Sequence, residues 1–139
     1  MPAAAQLSLF KGRRQRGTAL PAAPEYSLHC MIADLLKRWC LPDWRYTHIP
    51  SGEYRPPATA GRLKRMGVMP GWPDFQFLHA TGSACFIELK RRGQWPSAEQ
   101  QELGFFLMRA GHGYLITDSF ADAVEALRAW GIVPAQLSV

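Results

Sequence analysis

The sequence is poor in cysteine and has no long apolar run. Its three cysteines, Cys30, Cys40 and Cys85, are odd in number and show no CxxC spacing. This pattern argues against a disulfide framework and against a structural zinc site, and it fits a reducing compartment. No apolar stretch approaches the roughly 18 residues that a membrane-spanning helix needs. The expectation is therefore a cytoplasmic protein.

Acidic residues are scarce in two segments of the chain. The whole sequence carries 16 Lys and Arg against 11 Asp and Glu, a net charge of +5. Residues 1–24 contain four basic residues and no acid, and residues 55–92 contain seven basic residues and only two acids, Asp74 and Glu88. A basic excess of this kind favours a polyanionic partner. The presence of two acids in this basic middle segment requires a separate explanation.

The length of 139 residues suits one domain, and 47% hydrophobic residues suffice for a core. Residues 1–24 hold Ala, Pro, Gly and Arg with no sustained period, and they lack the apolar stretch of a secretory signal. We therefore expect a flexible basic arm at residues 1–24 and a folded domain at residues 25–139.

Hydrophobic periodicity and turn residues predict eight elements in the order α-β-α-β-β-α-β-α. The first helix runs from Pro24 to before Pro42, and Trp39 lies on its apolar face together with leucine and isoleucine residues. A capping box at Ser97 opens the third helix, whose apolar face includes Phe106. The fold class is α/β, with a small mixed β-sheet flanked by helices. The predicted strands cover residues 44–49, 74–79, 84–90 and 114–117, and the other two helices cover residues 58–66 and 120–130.

The strand from Ala84 to Lys90 is apolar on both faces, which is typical of a central strand. Glu88 and Lys90 lie two residues apart on it and share one face. The turn before this strand sets its register with residues 74–79. If paired residue numbers sum to 162, Asp74 lies directly across from Glu88, whereas sums of 163 or 164 displace it. The turn alone leaves these registers open.

Two carboxylates that face each other destabilise a sheet unless a cation lies between them. Oxygen ligands with no cysteine or histidine cluster suit Mg²⁺ or Mn²⁺. Asp74 and Glu88 would hold such an ion, and Lys90 would orient a water molecule and offset charge on a phosphate. Arg91 and Arg92 follow at once and could neutralise backbone phosphates. The inferred chemistry is metal-assisted hydrolysis of a phosphodiester.

These residues resemble the PD-(D/E)xK nuclease superfamily, and in particular its VRR-NUC family of replication and repair nucleases. The resemblance extends from about Glu25 to Trp130 and implies a restriction-endonuclease-like core. The motifs that carry it are Ile49-Pro50-Ser51-Gly52 with Arg55, Leu63-Lys64-Arg65-Met66-Gly67-Val68, Gly71-Trp72-Pro73-Asp74, Phe86-Ile87-Glu88-Leu89-Lys90, and Gly93 with Ser97-Ala98-Glu99-Gln100.

The resemblance also implies roles for further residues. Asp74, Glu88 and Lys90 take the catalytic positions, the backbone carbonyl of Leu89 is an extra metal ligand, and Glu25 matches a first-helix acid that reaches the metal, often through water. Gln100 matches a glutamine that approaches the active site. Ser51 replaces the asparagine that is common in the family. Contacts to DNA are expected from Gln100, Arg91, Arg92, Arg55, Ser51, Lys64 and Arg65.

Free-standing bacterial and phage members of the family resemble dimeric enzymes that cut branched DNA such as four-way junctions. The resemblance therefore implies a Mg²⁺-dependent, structure-selective DNA endonuclease, a homodimer, and a bacterial or phage-infected cytoplasm. Two alternatives stay open. One is a non-catalytic DNA-binding adaptor, and the other is a restriction-type enzyme with a defined recognition site.

A separate motif lies in the basic arm. Residues Gln6, Leu7, Ser8, Leu9 and Phe10 are similar to the pentapeptide that binds the bacterial sliding clamp. Leu9 and Phe10 would enter an apolar pocket of the clamp, a form of recognition that needs an extended peptide. A chance apolar segment is the alternative.

The four histidines show no metal-binding spacing, so a structural or surface position is expected for each. His29 lies one helical turn after Glu25 and could face the active site. Trp95 lies in a Gly-Gln-Trp-Pro loop, where it could stack on an unpaired base or pack into the core.

Overall fold

We describe residues 25–50 and 55–139 in a computed structural model of the chain. The helices are α1 (Glu25–Trp39), α2 (Pro57–Arg65), α3 (Ala98–Arg109) and α4 (Phe120–Ala129). The strands are β1 (Trp44–His48), β2 (Phe75–His79), β3 (Ala84–Leu89) and β4 (Gly113–Thr117). The predicted element order is confirmed. No helix among these residues is long and apolar enough to span a membrane.

The four strands form one mixed sheet in the order β1-β2-β3-β4. Strands β1, β2 and β3 pair antiparallel, and β4 pairs parallel with β3. The parallel pair needs a crossover, which α3 supplies. Strand β3 is buried along its whole length, as expected for a central strand.

Each face of the sheet has its own core, because side chains alternate along β3. Cys85, Ile87 and Leu89 pack with residues of α1 and α4 in the larger cluster. Ala84 and Phe86 pack with Leu107 of α3 in the smaller one. Glu88 has the same parity as Phe86, so its side chain points toward α3. The layering thus decides which helix meets the carboxylate.

Two positions predicted on apolar faces are exposed. Trp39 is the final residue of α1 and is 42% exposed. Phe106 is 58% exposed. Its helix packs on the sheet through Gly104 and Leu107, and a Cβ atom at Gly104 would stand 2.5 Å from the Tyr114 ring. This close approach turns Phe106 to the solvent, so both core predictions were wrong.

Candidate active site

The β2–β3 hairpin brings the two acids of the basic segment together. Phe75 pairs with Ile87 and Leu78 with Ala84, so paired residue numbers sum to 162. One step beyond Phe75, the same register places Asp74 across from Glu88. Asp74 Oδ2 accepts a hydrogen bond of 2.8 Å from the backbone N–H of Leu89. The register with Asp74 opposite Glu88 is the one that forms, and the other two are excluded.

Glu88 is a buried carboxylate with two donors on one oxygen. Glu88 is only 4% exposed to solvent. Lys90 Nζ is 2.9 Å from Glu88 Oε1, and Gln100 Nε2 donates to the same oxygen at 2.6 Å. Burying a charge is costly unless it is paired and hydrogen-bonded. The ammonium and the amide provide that compensation.

The surroundings of Glu88 nevertheless favour its protonated form. Desolvation by burial and the nearby Asp74 carboxylate raise the pKa of Glu88, Lys90 lowers it, and the net result is a pKa of about 7. Two carboxylates in one half-buried place are in electrostatic conflict. A divalent cation between them would remove this conflict, and their hard oxygen atoms suit Mg²⁺ or Mn²⁺. The residues present therefore fit the metal that the resemblance implies.

Gln100 connects the site to the start of α3. Its Oε1 accepts from the N–H of Ser97 at 2.9 Å, and its N–H donates to Ser97 Oγ at 3.2 Å, which completes the predicted capping box. Because the amide oxygen is held in this way, the Nε2 group points at Glu88. The capping motif thus orients a side chain of the site as well as opening a helix.

Gly71 fixes the loop before Asp74 against the same helix. Its φ is +88°, a conformation that favours glycine. A Cβ atom there would lie 2.7 Å from the backbone carbon of Glu99, in the first turn of α3. The backbone of this loop therefore touches the helix turn that carries Gln100. The close packing at Gly71 therefore places the loop that leads to Asp74 beside the helix turn that carries Gln100.

Two histidines lie on the other side of Asp74. His48 Nδ1 is 2.8 Å from the backbone oxygen of Asp74, and the His29 and His48 rings meet edge to face with centroids 4.1 Å apart. A structural or surface position was expected for both histidines, and only for His29 did the spacing to Glu25 leave a place facing the site open. His48 lies at the end of β1, and this position indicates a contact with Asp74 only once β1 is known to pair with β2.

The structure places the other predicted site residues as follows. Glu25 is the first residue of α1, and Leu89 is buried at the end of β3. Arg55 donates to the backbone oxygen of Pro50 at 2.5 Å. The exposed side chains among the expected DNA contacts are Lys64, Arg65, Arg91 and Arg92.

Trp95 is 75% exposed, so the core alternative for this residue is excluded. Ser51 and the pentapeptide Gln6, Leu7, Ser8, Leu9 and Phe10 lie outside the described residues, as does the arm at 1–24. Clamp binding stays a prediction.

Tyr114 borders the site and Cys85 lies in the core on the opposite face of β3, and neither group is acidic or nucleophilic at neutral pH. Burial raises the pKa of the Cys85 thiol to about 11. Burial, together with the charges of Glu88 and Asp74, raises the pKa of Tyr114 well above its usual value. Both groups therefore stay protonated, and Cys85 is an inert core residue.

Comparison with known proteins bears on the fold. No family profile matches the chain, and no curated protein matches it. Among solved structures, a protein described as "VRR_NUC domain protein" superposes with a TM-score of 0.63 at 20% sequence identity, covering 80% of this chain and 90% of that one. At this level of identity the likeness shows a shared fold. The restriction-endonuclease-like fold expected from the sequence is thereby confirmed.

Proposed function

We propose that this chain, which shares the fold of a VRR_NUC domain protein, is a metal-dependent DNA endonuclease that hydrolyses phosphodiester bonds. The single observation that carries the proposal is the constellation of half-buried Asp74, buried Glu88 and half-buried Lys90. A carboxylate pair with an adjacent ammonium group, at the end of a central strand, is expensive to maintain without a function. The fold shared with a VRR_NUC domain protein further supports the proposal.

Asp74 and Glu88 would hold Mg²⁺, or Mn²⁺ in its place, with the Leu89 carbonyl and, through water, Glu25. When bound, the ion supplies Lewis-acid polarisation of the phosphate and activates water. The protein's own part is to keep the two carboxylates in register. The Leu89 N–H holds Asp74, and Gln100 holds Glu88.

Lys90 has two consecutive functions in this proposal. In the free protein its ammonium group compensates Glu88 at 2.9 Å. With substrate present, its Nζ protons would hydrogen-bond to water or to a phosphate oxygen and offset the negative charge that develops there. Its side chain is 17% exposed, so it can reach a bound phosphate while it stays desolvated on one side.

The basic residues around the site would bind the DNA backbone. Arg91 and Arg92 directly follow the catalytic strand, and Lys64 and Arg65 lie on α2, which buries none of its side chains. Phosphate contacts position DNA without reading its sequence. We therefore propose structure-selective cleavage of branched DNA, such as four-way junctions, by a homodimer. The pathway would be replication, recombination or repair in a bacterial or phage-infected cell.

A substrate panel tests this function. The full chain is incubated with labelled linear duplex, flap and four-way junction DNA in Mg²⁺, in Mn²⁺ or in EDTA. We expect metal-dependent products from branched DNA. The variants Asp74→Asn and Glu88→Gln should fall to the level of the EDTA reaction while DNA binding survives.

The matched control is Glu125→Gln, which neutralises an exposed carboxylate on α4. It should cleave like the unmodified chain, and melting temperatures verify that every variant folds. Cleavage retained in both site variants would overturn the proposal. DNA binding with no product on any substrate would favour the adaptor, and discrete bands from linear duplex would favour a restriction-type enzyme.

A further inference from the structure

Three elements bring a second set of metal-ligating groups together beside the carboxylate pair. His29 comes from α1, His48 from the end of β1, and Asp74 from the residue before β2. One potential ligand atom from each lies within 4.8 Å of the others, and all three residues are half-buried. Ligand atoms this close can converge on a single ion. The proposed catalysis assigns no role to the two imidazoles.

The hydrogen bond of His48 determines which of its nitrogen atoms is available. Its Nδ1 lies 2.8 Å from the backbone oxygen of Asp74. A carbonyl oxygen only accepts, so Nδ1 must carry the proton, and in the neutral ring Nε2 keeps its lone pair. Histidines that bind metals typically donate their other N–H to a carbonyl or carboxylate in this way. This tautomer leaves Nε2 as the nitrogen with which His48 can bind a metal ion.

The position of Asp74 relative to the histidines is fixed by the backbone. The N–H of Ile49 donates to the same Asp74 oxygen at 2.7 Å. The last residue of β1 and the residue that follows it therefore both hydrogen-bond to the backbone oxygen of Asp74. The His29 ring is held between the His48 ring and Phe75, with centroids 4.1 and 4.5 Å away. The group is rigid before any ion binds, which favours binding over a flexible set of ligands.

The donor chemistry of this group differs from that of the carboxylate pair. Imidazole nitrogen suits transition-metal ions such as Zn²⁺, Co²⁺ and Ni²⁺, whereas carboxylate and carbonyl oxygen suit Mg²⁺ and Mn²⁺. Two imidazoles and one carboxylate make a typical three-ligand set for such ions, with a further position for solvent.

We propose that His29, His48 and Asp74 form a second cation site, selective for a transition-metal dication over Mg²⁺. Asp74 would be shared with the ion that Asp74 and Glu88 hold. That sharing rests on the proposed function, whereas metal binding by the two imidazoles does not. The inference concerns binding by this chain's own residues and can be tested without DNA.

Co²⁺ is the probe, because its visible absorption reports its ligands. The full chain is freed of metal with a chelator, dialysed and titrated with Co²⁺ while absorption and heat of binding are recorded. We expect binding with nitrogen and oxygen ligands and no thiolate charge-transfer band. His29→Gln, His48→Gln and Asp74→Asn should each weaken the affinity by about tenfold or more. A large excess of Mg²⁺ should compete poorly.

Two controls keep the test specific. Glu125→Gln removes an exposed carboxylate on α4 and should leave Co²⁺ binding within about twofold. His79→Gln removes a histidine from the far end of β2, roughly 17 Å along the strand from Asp74, and should have no effect. Circular dichroism and melting temperatures identify any variant that fails to fold.

A second measurement needs no variant that could unfold. In histidine-labelled protein, Zn²⁺ should shift the ring NMR signals of His29 and His48 and leave those of His79 and His112 in place. Unchanged signals of His29 and His48, or equal Co²⁺ affinity in the histidine variants, would overturn the second site. Cleavage data are not used here, so the second site and the proposed nuclease can fail independently.

Discussion

At the scale of single residues, Glu88 is where opposing electrostatic effects meet. Burial and Asp74 favour its neutral form, while the Lys90 ammonium and the Gln100 amide compensate the charged one. Because its pKa is raised to about 7, Glu88 in the metal-free protein keeps its proton at pH values at which an ordinary glutamate is ionised. A metal ligand must be deprotonated, so binding would release this proton. Affinity for Mg²⁺ should therefore rise with pH through this range.

The same raised pKa predicts how stability changes with pH. In the unfolded chain the pKa of Glu88 is near its ordinary value of 4.5. Between about pH 4.5 and pH 7 the folded state therefore binds more protons than the unfolded state. Stability of the metal-free protein should thus fall as pH rises through this window, by on the order of 3 kcal/mol from this residue. Denaturant unfolding in EDTA from about pH 4.5 to about pH 8 measures it.

Glu88→Gln should remove that part of the pH dependence and exceed the unmodified chain in stability at the alkaline end. Glu125→Gln, an exposed carboxylate on α4, should leave the dependence as it is. If Glu88→Gln kept the full slope, the electrostatic account of Glu88 would be wrong.

Residues also mark the limit of the sequence argument. Asp74, Glu88 and Lys90 could be found because two acids in a basic segment, one of them on a doubly apolar strand, contradict the local composition. His48 carried no such signal. Its approach to Asp74 follows from the pairing of β1 with β2, a contact between segments about 30 residues apart. Composition and spacing cannot supply that pairing.

At the scale of elements, the N-terminus of α3 is both a helix cap and part of the site. Ser97 and Gln100 form the capping box, and Gln100 also donates to Glu88. Gly71 packs against the first turn of the same helix. The helix start therefore sets the orientation of Glu88 relative to Asp74.

This arrangement separates the effect of the cap from the effect of the amide. Ser97→Ala removes one capping bond and should cost about 1 kcal/mol of stability, with cleavage retained. Gln100→Ala should lower stability and also weaken metal-dependent cleavage, because Glu88 loses its amide donor. Thermal unfolding and cleavage rates are compared for both variants.

The matched control is Ser119→Ala, which removes the same kind of cap from α4, where Ser119 accepts from the N–H of Asp122. It should cost about as much stability as Ser97→Ala. Cleavage unaffected in Gln100→Ala would show that the amide serves the helix alone.

Elements were the most predictable level of this structure. Periodicity and caps predicted each helix and strand to within a few residues, and the turn after His79 restricted the hairpin to three registers. The register of 162 needed the three-dimensional structure, because local turn chemistry allows all three. The exposure of Phe106 was equally out of reach, since the apolar pattern does not reveal the close contact of Gly104 with Tyr114.

At the scale of the whole molecule, the basic charge of the folded domain is concentrated in the chain segment that contains the site. The segment 55–92 contains both site acids and seven basic residues, whereas residues 93–139 carry more acids than bases. An asymmetric charge of this kind steers a polyanion to one side of the protein. DNA should therefore approach the face that carries Lys90, Arg91 and Arg92.

Placement of charge, and not its total, should govern DNA affinity. The double variant Arg91→Gln with Arg92→Gln removes two charges next to the site. If both contact phosphates, the slope of log affinity against log salt should become less steep by about 1.8. Binding of an uncleaved junction in EDTA, measured from about 50 to about 200 mM salt, gives this slope. The control double variant, Lys37→Gln with Arg38→Gln, removes the same charge near the end of α1, two helical turns beyond His29. It should change the slope little. An equal loss in both double variants would mean that the protein attracts DNA by net charge alone, and the oriented approach to the Asp74–Glu88 site would then have to be abandoned.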